Sequence, residues 1–288
     1  MKQADPISSR ERLTVLRQQL AGRLVGPSPQ EQPAPPAGRS LRYLSLGLPP
    51  IDAHIGGGLV QGALHEIAGA GADAELALLP AFFAAQVMLQ HRNQRAIWIA
   101  ATPDLYGPGL QAQGLDPTRL LLVESRQEVE SLWAVEEAAR SGAVSLVIGE
   151  IDLLDLTASR RLQLAAEEKN CTILVLRRSR LLGKGGKHRQ PSAATTRWLI
   201  SSLPSRPIDD HRPGLGLPCW HLHLWRQRNG PPGGWDVTLP EQPALQEQPA
   251  LQGQYWQLRA AEPQRRAAMA ANDDSKPFTS KQYRAPAG

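Results

Sequence analysis

Cysteine is nearly absent. The 288 residues hold two, Cys171 and Cys219, which cannot form a disulfide framework, so a reducing, cytoplasmic setting is expected. Long hydrophobic runs are missing too. None could span a bilayer, and the opening MKQADPISSRERL has no apolar stretch of the signal-peptide kind. No Ser–His–Asp or Cys–His spacing stands out, which argues against a covalent hydrolase. The seven tryptophans are spread along the chain and read as core residues, not as one binding platform.

What is present suits one medium domain with tails, or two small ones: 41% of residues are hydrophobic, enough for a real core. Prolines and glycines number 25 each, and the prolines crowd toward both ends. The net charge of +5 hides an asymmetry. Residues 1–176 carry 15 Lys/Arg and 19 Asp/Glu, whereas residues 177–288 carry 17 and 8. One part of such a chain can meet an acidic partner, either nucleic acid or an acidic protein surface.

Residues 8–24 read as a helix with Leu13, Leu16 and Leu20 on one stripe, capped by Ser8 or Ser9. This helix (domain segment 1–24) either docks on the core or forms an arm to a neighbouring subunit. A proline-rich linker follows over 25–40. The core domain is expected over 41–240. Short apolar runs at 64–67, 96–100, 120–123, 145–148 and 172–176 predict buried parallel strands. Helices are predicted near 74–91, 127–141 and 157–169, the last capped by Thr157. Runs at 195–202, 219–226 and 235–238, separated by Gly/Pro-rich turns, read as antiparallel edge strands. The fold class is α/β, a mainly parallel sheet flanked by helices. Residues 241–288, which repeat EQPALQ twice, are expected to be a low-complexity, disordered tail.

Residues 63–79 are laid out like a phosphate-binding loop. A strand is expected to end at Ile67, a turn to carry Gly69 and Gly71, and a helix to begin near Asp73. The GxxxxGK ending with a following Ser or Thr is absent. Glu75 stands where the lysine belongs and Leu76 where the hydroxyl belongs. A carboxylate in the first helical turn satisfies the helix dipole and repels an anion.

The second charged feature is RRSRLLGKGGKHRQ over 177–190. Arg177, Arg178, Arg180, Lys184, Lys187 and Arg189 occur there without an acid, among Gly183, Gly185 and Gly186. Clustered cations of this kind suit phosphate backbones, because counterion release drives binding and little sequence is read. A solvated connection is the plainer alternative. No aromatic lies in the segment, so base stacking is not expected. Cys219, His221 and His223 share one face of a strand, but a fourth ligand is not evident, and no zinc is expected. Glu150, Asp152 and Asp155 form an acidic patch that reads as a solvated helix approach.

The central part resembles the RecA-type recombinase core. GLPPIDAHIGGGLVQGALHEIAG (47–69) is similar to the glycine-rich stretch before the phosphate-loop strand, and RSGAVSLVIGEIDLL (140–154) to the segment ending in the metal-site strand. More narrowly, residues 41–240 resemble the ImuA family, RecA-like accessory proteins of a bacterial mutagenic operon. GALHEIAGAGADAE (62–75), LYGPGLQAQGLDPTRLLLV (105–123), LTASRRLQLAAEE (156–168) and PSAATTRW (191–198) carry the likeness in order.

The resemblance implies a RecA-like fold with a degenerate nucleotide site. Four positions depart from the ATPase pattern: Glu75, Leu76, Thr102 at the general-base position, and Gly149, beside Glu150, at the metal-site aspartate. No hydrolysis, nucleotide or other cofactor is expected. Position also matches the 177–190 segment to a second DNA-binding loop. The implied role is an SOS-response adaptor in error-prone translesion synthesis. It would act with an ImuB-like Y-family protein and a DnaE2-type polymerase, contact RecA and single-stranded DNA, and associate with the nucleoid on DNA damage. Self-association remains open. The family is grouped with SulA-type cell-division inhibitors, so a division inhibitor acting by protein binding is the alternative. A working ATPase is a third reading, which Glu75 disfavours.

Overall fold

The computed structural model describes residues 41–70, 73–91, 94–101, 104–112, 114–178, 190–207, 216–238 and 257–258. For 73–77, 112 and 257–258 the description is of backbone alone. The N-terminal helix, the proline-rich linker, and most of 239–288 lie outside these residues.

The described chain opens with a two-stranded hairpin, β1 (Tyr43–Leu44) and β2 (Leu59–Val60), enclosing helix α1 (Pro49–His54). Asp52 ties the two together, accepting from Ser45 Oγ at 2.7 Å and from the Leu46 amide at 2.8 Å. Gly58 closes the hairpin at φ 130°, where a Cβ would come within 2.3 Å of the Leu44 carbonyl oxygen.

Strands and helices then alternate: β3 (Leu64–Ala70), α2 (Asp73–Gln90), β4 (Ala96–Ala100), α3 (Gly107–Ala112), β5 (Leu120–Glu124), α4 (Glu128–Ser141), β6 (Leu146–Glu150), α5 (Leu156–Lys169) and β7 (Thr172–Arg177). Three long strands follow, β8 (Thr196–Arg206), β9 (Leu217–Gln227) and β10 (Gly233–Thr238), then the short β11 (Gln257–Leu258). They form a nine-stranded sheet in the order β11-β10-β9-β8-β3-β7-β6-β4-β5. β3 to β8 run parallel, and β9, β10 and β11 extend one edge antiparallel.

The α/β architecture, the mainly parallel sheet and the antiparallel edge are as the sequence implied. Four local expectations need correction. β8 is not an antiparallel edge strand; it lies inside the sheet, parallel to β3, with Gly69 opposite Ile200. β3 runs on to Ala70, so Gly69 belongs to the strand and not to the turn. Helix α5 is capped by Asp155, which accepts from the Ala158 amide at 2.6 Å, and not by Thr157. Finally, two residues of the segment expected to be a disordered tail, Gln257–Leu258, pair with β10.

Two cores lie on opposite faces of the sheet. α1 and α2 cover one, with Leu79, Phe83 and Val87 against Trp98, Ile148, Leu176, Trp198 and Leu222. α4 and α5 cover the other, with Val135, Ala138, Leu162 and Ala165 against Ile97, Val147, Ile173 and Val175. Burying both faces explains why the central strands are apolar without alternation. Pro80 sits inside α2 and removes one bond of its backbone ladder.

Candidate functional site

In an open parallel sheet, ligands bind beyond the carboxyl ends of the strands. Here those ends are Ala70, Ala100, Glu124, Glu150, Arg177 and Arg206. Helix α2 follows β3 in the chain, and its backbone places Glu75 and Leu76 in the first helical turn. Gly71 lies outside the described residues, and of Asp73, Glu75 and Leu76 only the backbone is described. Thr102, the expected general-base position, is also outside them.

At the end of β6 two neighbouring residues face opposite sides of the sheet. Gly149 faces α4, where a Cβ would meet Val135 Cγ2 at 2.4 Å. Glu150 points to the opposite face, the side of α2, and accepts from Trp98 Nε1 at 2.8 Å. The carboxylate that faces the α2 side is therefore Glu150. It is not a solvated group. Arg178 Nη1 reaches Glu150 Oε2 at 2.5 Å, and the same guanidinium grips Asp104 by both nitrogens, at 2.9 and 2.5 Å. The hydrogen bonds donated by Arg178 hold the Asp104 carboxyl below its usual range, and the same bonds, accepted by Asp104, push Arg178 up. The Arg178 amide donates to Asp152 Oδ1 at 2.6 Å, while burial pushes the Asp152 carboxyl up.

Arg177 is not a loop residue. It closes β7, is 2% exposed, and aims into the face covered by α4 and α5. There Glu66, at the middle of β3, gathers three donors. Arg177 Nη1 lies 3.4 Å and Arg197 Nε 3.1 Å from Glu66 Oε2, and Ser192 Oγ donates to Glu66 Oε1. Arg197 also donates to the Gln190 carbonyl at 2.8 Å and lies 4.2 Å beneath the Trp225 ring. Arg226 adds a bond to the Ser192 carbonyl at 2.9 Å. This network joins the two ends of the basic connection, Arg177 on one side and Gln190 and Ser192 on the other. Arg177 is thus committed to the interior, which leaves five of the six cations expected to contact phosphate. Of those, Arg178 is described, and Arg180, Lys184, Lys187 and Arg189 lie outside the described residues.

Sequence reasoning missed Glu66, Asp104, Ser192 and Arg197. For two of them a signal exists: Glu66 and Arg197 are charges inside runs that read as strands, and a charge buried there requires a partner of opposite sign.

The cysteine–histidine face of β9 carries a different arrangement from a metal cluster. Cys219 is buried, and His221 Nδ1 lies 2.7 Å from Asp236 Oδ1 on β10. Among the described residues no group of three or more His, Cys, Asp or Glu side chains is placed to hold a metal ion, and no helix is long and apolar enough to cross a membrane.

No family model matches the chain. Protein ImuA of Caulobacter vibrioides, in each of two strains, is 41% identical to it over 205 residues, covering 69% of this chain and 84% of that protein. The chain belongs to the ImuA family. A solved RadB recombinase structure aligns at a TM-score of 0.49 and 16% identity, covering 69% of this chain and 96% of that one. Within this ImuA-family chain, one ionic cluster, Glu66–Arg177–Arg197, thus lies inside against the sheet, and a second, Glu150–Arg178–Asp104, lies at the carboxyl ends of β6 and β7.

Proposed function

We propose that this ImuA-family chain is a non-catalytic accessory protein of SOS-induced, error-prone translesion synthesis. It acts with an ImuB-like Y-family protein and a DnaE2-type polymerase, and it contacts RecA and single-stranded DNA. The observation that carries the non-catalytic part is the Arg178 guanidinium bridging Glu150 and Asp104. Phosphoryl transfer needs free carboxylates to hold a divalent cation and to orient water. Here the carboxylate facing α2 already has a cation from its own chain. Glu75 supports the same reading, since it puts an acid where a triphosphate needs a lysine.

The contribution of such a protein is effective concentration: it holds polymerase components and DNA together without chemistry of its own. Its cations from Arg178 onward supply sequence-independent backbone contact. The test is co-expression of the full chain with the ImuB-like protein and the DnaE2-type polymerase, followed by gel filtration. Co-elution of the three supports the assignment; separate elution at micromolar concentration defeats it.

A further inference from the structure

Arg178 is the first cation after β7, and it is partly open to solvent while bound by an exposed partner. Its side chain is 21% exposed, that of Glu150 10%, and that of Asp104 54%. The two carboxylates hold it unequally. Glu150 is fixed from behind by Trp98 Nε1 and takes one contact from Nη1. Asp104 lies outside on the segment after β4 and takes both Nη1 and Nη2 on its two oxygens. A planar guanidinium offers that same two-point fork to a phosphate. An exposed carboxylate in this place is a weak hold, because solvent screens it and its side chain is free to rotate away.

We infer that Asp104 is an internal phosphate mimic, and that Arg178 is a backbone-phosphate subsite which Asp104 keeps covered until single-stranded nucleic acid displaces it. This rests on the DNA-binding reading proposed above. Glu150 holds the guanidinium in place through Nη1 while the Asp104 side swings clear. A strand phosphate approaching the closed form meets two carboxylates around one cation and is repelled. With Asp104 displaced, the Arg178–Glu150 pair is neutral and its fork faces outward. The mimic therefore sets a threshold, so that weak or isolated phosphates fail and a strand that also engages other cations succeeds.

The test is fluorescence anisotropy of a fluorescein-labelled oligo-dT strand with the full chain, across a salt series. Four proteins are compared: wild type, Asp104→Asn, Arg178→Gln and the double variant, each first checked for an unchanged thermal transition. Asp104→Asn is expected to bind about two- to fivefold tighter at low salt, as expected for removal of an exposed ionic competitor. Its salt slope should steepen by up to about 0.7, one further phosphate neutralised on a single strand. In the Arg178→Gln background the gain should vanish. Wild-type binding with no gain in Asp104→Asn overturns the inference and leaves the DNA reading standing. An equal gain in the Arg178→Gln background also overturns it, because the effect is then general charge. Silence from both wild type and Asp104→Asn sinks the DNA reading and the inference together.

Discussion

Trp98, wholly buried in β4, donates its indole N–H to Glu150 Oε1 at 2.8 Å across one strand pairing. The bond fixes which way the end of β6 faces. Glu150 is held on the α2 side with its second oxygen turned to Arg178. Gly149, its neighbour, is left facing Val135 with no room for a side chain.

Gly149→Ala should therefore be destabilising by about 1–3 kcal/mol, the usual cost of forcing a methyl into a packed core. Gly149→Asp should cost more, because it adds a buried carboxylate without a partner. Urea denaturation measures both. An aspartate tolerated at 149 without loss would mean that the register of β6 is wrong.

Glu66 carries two buried guanidinium groups, and Glu66→Ala would remove its carboxylate from both. Breaking a buried ionic cluster from one side costs about 3–5 kcal/mol. The same urea titration should show a loss of this order, and a loss under about 1 kcal/mol would contradict the arrangement.

His65 sets the response to acid. Its Nε2–H donates to the Val60 carbonyl at 2.9 Å, so Nδ1 accepts from Thr196 Oγ1 at 2.7 Å. Burial lowers its pKa to about 4. The folded protein keeps this ring neutral, whereas the unfolded chain protonates it near 6.5. Its contribution is thus whole above 6.5 and is lost as pH falls toward 4, on the order of 3 kcal/mol in all. His91 is lowered by burial as well and adds in the same direction. His65→Gln should flatten the stability profile between pH 6.5 and 4; an unchanged slope would count against a neutral buried ring.

Cys171 is fully buried, and burial pushes its thiol up to about 12. Cys219 is 2% exposed. Ellman's reagent at pH 8 should find no thiol in the folded protein and both after denaturation. A rapid native reaction would show that one of the two is accessible.

Much of the frame could be read from the sequence because it depends on local pattern. Apolar runs bounded by turn residues mark β4 and β6, and the 14-residue helices α4 and α5 follow from their spacing. What escaped depends on contacts far apart in the chain. In LVIGE every residue but the last is buried, so no alternation reveals which face Gly149 or Glu150 takes, and a one-residue slip reverses both. Arg177 looks like the first residue of a basic loop because its partner Glu66 lies 111 residues away. β8 reads as an edge strand because the Gly/Pro-rich sequence after it says nothing about its parallel neighbour β3. Thr157 has the chemistry of a cap but lies inside the helix, since Asp155 is the residue with extended backbone before the first turn.

The most direct measurement of the central claim is an equilibrium titration of the full wild-type chain with a fluorescent ATP analogue in magnesium. With Glu150 and Asp104 already bound by Arg178, and an acid at position 75, the signal should show no saturable component and no response to competing ATP. Saturable, magnesium-dependent binding that ATP displaces would mean that these carboxylates are free to hold a metal, and that this ImuA-family chain still uses nucleotide.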